Sequence, residues 1–102
     1  MLVGFVGSED LARAFALAGV DAVSPVDRAS ALETLHGMLW SAKYSFVIVG
    51  DPWSTELSGE LRSAMIRSPI PIVVLKKNQV DYSGFLSSLS DFVGGKVARG
   101  NR

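Results

Sequence analysis

The sequence has no cysteine and only one histidine, His36, in 102 residues. The first absence excludes a disulfide framework and a thiolate metal site. The second leaves no group of imidazoles to hold a metal, so metal-dependent hydrolysis has little support. Ten basic side chains balance ten acidic ones. With no run of like charge, electrostatics give no reason to expect nucleic acid or an acidic lipid surface as partner. Long hydrophobic runs are missing too. The first apolar stretch is broken by Gly7, Glu9 and Asp10, too short and wrongly flanked for a signal peptide, and no segment approaches membrane-spanning length. The expectation is a soluble cytoplasmic protein whose length suits one core rather than two.

The residues that are present organise themselves around Leu2 to Val20. Leu2, Val3, Phe5 and Val6 form a short apolar run that suits a strand buried on both faces. Ser8 can cap a helix, Glu9 and Asp10 place negative charge at its positive end, and Gly19 suits a left-handed stop. Leu11, Phe15 and Ala18 fall on one face of that helix. The plan then repeats. Asp21 to Val26 reads as a short edge strand halted by Pro25. A helix follows, capped by Asp27, or by Ser30 with Glu33 in capping-box spacing, with Leu32, Leu35, Leu39 and Ala42 on one face and an end near Ser41. Phe46 to Val49 is the expected middle strand. Ser54 or Thr55 opens a third helix carrying Leu57, Leu61, Ala64 and Met65, and Ile70 to Leu75 gives a fourth strand.

This alternation predicts an α/β fold: a four-stranded parallel sheet in the order 2-1-3-4 with helices on both faces, Rossmann- or flavodoxin-like. Its expected centre is Val3, Phe5, Phe46, Ile48, Ile72 and Val74, covered by Leu11, Phe15, Leu35, Leu39, Leu61 and Met65. The globular part spans 1–77. Residues 78–102 add a C-terminal helix and a basic tail, with a polar hinge between Lys76 and Gly84. In that helix Phe85, Leu86, Leu89, Phe92 and Val93 form an apolar stripe, more than an exposed tail should carry, and they are the candidate partner-binding residues. The helix can lie beside the first helix, or bind elsewhere.

The carboxyl ends of the strands should gather Glu9, Asp10, Asp51 and Lys76 or Lys77. Acids holding Mg²⁺, with Asp51 as phosphoacceptor and a lysine beside it, would make a receiver-like signalling domain. The alternative use is local: Glu9 and Asp10 serve the helix dipole, and Asp51 opens a turn with Pro52. Gly4 and Gly7 resemble a fragment of a glycine-rich phosphate loop but lack its third glycine and its lysine, a weak signal that close packing explains better. His36 has no companion, so no nucleophile, base and orienter can be assembled. Trp40 and Trp53 lie near helix ends, as packing residues or as a partner contact.

Three phrases carry a resemblance: the opening Val3 to Asp10, Phe15-Ala16-Leu17-Ala18-Gly19-Val20, and Ile70-Pro71-Ile72-Val73-Val74-Leu75 followed by Lys76. In these, in length and in order of elements, the chain resembles the F subunit of the central stalk of V/A-type rotary ATPases. Ala14 stands where the family usually has glycine, and Gly50-Asp51-Pro52-Trp53 departs from its usual pattern after the third strand. The resemblance implies a non-catalytic rotor subunit without a cofactor. It would bind the long D-type coiled coil of the stalk and couple ATP hydrolysis or synthesis in the heads to proton or sodium transport through the membrane ring.

Overall fold

A computed structural model describes residues 2–76 and 82–94. Strand β1 (Leu2–Val6) is buried from Val3 onward, as a continuous apolar run in a parallel sheet requires. Ser8 then adopts an extended backbone, and its Oγ accepts the Leu11 N–H at 3.3 Å, capping α1 (Glu9–Leu17). Gly19 closes that helix at φ +94°, a left-handed conformation that costs glycine little. The chain turns into β2 (Asp21–Val23). Helix α2 (Arg28–Trp40) is capped by Asp27, whose carboxylate accepts the Ser30 N–H at 2.8 Å. That bond holds the Asp27 carboxyl below its ordinary pKa. The second candidate cap, Ser30, lies inside the helix.

After β3 (Tyr44–Val49) come a one-turn helix α3 (Trp53–Glu56), α4 (Ser58–Arg67), β4 (Ile72–Val74) and α5 (Tyr82–Gly94). The four strands are all parallel, in the order β2-β1-β3-β4. Successive strands joined by helices leave only parallel pairing, and β3 lies between β1 and β4 as its apolar run predicts. The sheet separates two cores. On one face Val47 and Val49 meet Leu35 and Leu39 of α2 and Leu61 of α4. On the other, Val3, Phe5 and Ile48 meet Phe15 of α1 and Leu89 of α5. The rings of Phe5 and Phe15 stack with centroids 4.1 Å apart.

Several expectations need correcting. The third helix is two helices, separated at Leu57, whose backbone (φ −104°, ψ 21°) leaves the helical range. Trp53 and Leu57, four residues apart, are both buried, and the expected starts at Ser54 or Thr55 fall inside the first of the two helices. Met65 is 46% exposed, because Leu61 and Ala64 already fill the contact with the sheet. Ala42 lies beyond α2, at φ +64°, and is exposed. The buried face of α2 is Ala31, Leu35, Met38 and Leu39, with Leu32 at its margin. Phe46, Ile72, Val74 and Leu11 are half-buried rather than central. For Ile72 and Val74 the reason is the edge position of β4.

Candidate functional site

Helix α5 presents its stripe to the sheet beside α1, one of the two placements open to it. Leu89 is buried at 5% exposure, and Phe85, Leu86 and Val93 pack at the margin of the same core. The Phe85 ring sits 6.0 Å from that of Phe15. At the far end Val93 meets the turn after α1. A Cβ built on Gly19 would come within 2.9 Å of Val93 Cγ1, so the left-handed glycine also clears space for α5. Phe92 behaves differently. Its ring is 6.0 Å from Phe46 yet it remains 62% exposed. Beside it an open groove of about 270 Å³ is lined by Phe46, Val73, Phe85, Ser88, Leu89 and Phe92.

The five stripe residues are therefore gathered on one surface, but their burial is unequal. Phe46 and Val73 join them in the groove, and sequence reasoning missed both as surface residues. A continuous apolar strand indicates burial without showing which stretch the covering helix fails to reach. The expected hinge falls largely on residues 77–81, and the basic tail on 96–102. Both lie outside the described residues.

At the carboxyl edge of the sheet the acids of the expected cluster are engaged in local bonds. Glu9 and Asp10 are exposed at the start of α1 and pair with Arg13 at 3.4 and 3.6 Å. Asp51 precedes a cis peptide bond to Pro52, and its Oδ1 accepts the Ser54 hydroxyl at 2.9 Å. The Asp51 carbonyl accepts the Ser8 N–H at 2.7 Å, tying the two strand ends together. Lys76 is exposed. Among the described residues, no three His, Cys, Asp or Glu side chains form a group that could hold a metal ion.

The glycines also have packing roles. A Cβ on Gly7 would lie 2.4 Å from Phe5 Cζ, and one on Gly50 would lie 3.0 Å from the same ring. Gly4 admits the Met38 sulfur, 3.0 Å from where its Cβ would be. The Phe5 ring thus occupies the space under both strand ends. Trp53 is buried, with Nε1 lacking an acceptor among the described residues, whereas Trp40 is 59% exposed. Exposed His36 stands in a groove between α2 and α4.

Compared with protein-family models, curated proteins and solved structures, the chain matches none. Within the described residues no helix is long and apolar enough to cross a membrane.

Proposed function

We propose that the chain is a non-catalytic interaction subunit that binds a helical partner through α5, and that it serves as an F-like subunit in the central stalk of a V/A-type ATPase or ATP synthase. The single observation that carries the binding role is the unequal burial of the α5 stripe. Phe92 remains mostly exposed beside an apolar groove that Phe46 and Val73 continue, and exposed apolar surface of this kind marks interaction sites. The rotary-motor assignment rests on the sequence phrases, and it names the partner as the D-type coiled coil of the stalk. No cofactor enters this function. The protein would act in the cytoplasm, peripheral to the membrane, linking ATP-hydrolysing heads to the ion-carrying rotor ring.

The receiver-like reading draws less support from the same structure. Asp51 already accepts a hydrogen bond from Ser54, and Glu9 and Asp10 turn to Arg13. The test of the stalk reading is co-expression with a D-type coiled coil followed by size-exclusion chromatography. Co-elution as a defined complex is expected, and separate elution of the two chains would overturn the assignment.

A further inference from the structure

Strand β4 is an edge of the sheet, and its register fixes which way each main-chain group points. Ile72 lies beside Val47, Val73 beside Ile48 and Val74 beside Val49. The Pro71 carbonyl accepts the Val47 N–H at 3.2 Å, and the Leu75 N–H donates to the Val49 carbonyl at 2.9 Å. Successive residues of a strand bond alternately to one side and the other, so Pro71, Val73 and Leu75 bond inward, while Ile72 and Val74 turn both N–H and C=O outward. Among the described residues these four groups have no partner. Such a row is a template for another strand.

The row is bounded on its N-terminal side. There the next outward residue, Ile70, is already engaged: its N–H donates to Ser68 Oγ at 3.1 Å, and its carbonyl accepts the Ser68 hydroxyl at 2.8 Å. Pro71 belongs to the inward set, so its missing N–H leaves the outer row whole. The opposite edge offers less. In β2 the Val23 carbonyl accepts the Gly7 N–H, which turns Asp21 and Val23 inward and leaves Ala22 as the one strand residue facing out, with Pro25 just beyond. Apolar surface also borders β4 on the α4 side, where Val74 lines an open depression with Leu61 and Met65, the latter 46% exposed.

We infer that β4 is a self-pairing edge, and that its occupant is β4 of a second copy of this chain, antiparallel about a two-fold axis at Val73. In that register Ile72 of each copy faces Val74 of the other and exchanges both hydrogen bonds with it. All four outward groups of each copy are then satisfied, and the two four-stranded sheets become one continuous sheet. The length of the row selects this occupant. It is as short as β4 itself, and a longer strand from another protein would meet Ile70, whose groups Ser68 holds. The Lys76 residues of the two copies would stand at opposite ends of the ladder, so no like charges oppose each other. The groove under Phe92 touches the same strand at Val73, yet the pairing rests on main-chain groups and does not depend on what α5 binds.

The absence of cysteine makes this register testable. The two Val73 residues would form a non-hydrogen-bonded antiparallel pair, with Cα atoms about 4.5 Å apart and within disulfide reach. Val73→Cys treated with oxidised glutathione should therefore give a disulfide-linked dimer, while Ala22→Cys on the other edge should stay monomeric. In sedimentation equilibrium the mass of the unaltered chain should rise with concentration from that of one copy toward two. Val74→Pro removes one outward N–H without touching the inward set, and should weaken association about tenfold or more with an unchanged circular-dichroism spectrum. Phe92→Ser should associate normally. A mass of one copy at every concentration, no cross-linking of Val73→Cys beyond that of Ala22→Cys, or undiminished association of Val74→Pro would each overturn the inference. So would loss of the dimer in Phe92→Ser, which would assign association to α5. Every readout uses the chain alone, so its failure is distinct from failure of the stalk assignment.

Discussion

Phe5 shows how one ring fixes the identities of its neighbours. It stacks on Phe15 and fills the space beneath Gly7 and Gly50, so both strand ends accept hydrogen and little more. Gly7→Ala should therefore cost about 1–3 kcal/mol, the usual penalty for overpacking. Adding Phe5→Leu should recover part of that loss in urea unfolding, whereas a phosphate-binding role for Gly7 would predict no such coupling. Tyr44 offers a separate check. From the start of β3 its hydroxyl reaches past β1 and donates to the Asp21 carboxylate of β2, and that bond, with burial, pushes its pKa up to about 12 from 10. Because the folded-state value is raised, the stabilisation is complete below pH 10 and is lost as pH rises from 10 through about 12. Absorbance near 295 nm should show one tyrosine titrating late, and Asp21→Asn should bring it back toward the ordinary value.

At the scale of elements, the helices separate into those whose sequences announced them and those that needed the tertiary structure. Ser8, Asp27 and Gly19 mark ends chemically, and each takes its expected capping or stopping role. The break at Leu57 was not legible, because Trp53, Leu57, Leu61 and Ala64, all packed in one core, keep helical spacing straight through it. The groove under Phe92 was equally hidden, since Phe46 and Val73 read as buried strand residues whatever covers them. Gly37 is a further case. It lies within α2, is exposed, and has nothing within 4 Å of an added Cβ. Replacing glycine in a helix interior with alanine normally gains about 0.5–1 kcal/mol. Gly37→Ala should raise the unfolding midpoint by a corresponding amount, and a loss would mean that α2 is strained there.

For the whole molecule, the parallel sheet divides the work. One face is completed by α1 and α5, and the other by α2, α3 and α4. The topology was legible because four apolar strand runs alternate with helical periods, and crossover handedness leaves few arrangements. The proposed function draws its specific part from short phrases of sequence, while composition supplies mainly exclusions. The central claim is that α5 remains a binding element although it is docked on its own sheet. Phe92 tests that claim without confounding stability, since it is mostly exposed. The most direct measurement is a calorimetric titration of the D-type coiled coil into the full chain and into its Phe92→Ser variant, after checking that both unfold at the same temperature. The account predicts at least a tenfold loss of affinity in the variant, about 1.4 kcal/mol; equal affinity would place the interface elsewhere and contradict it.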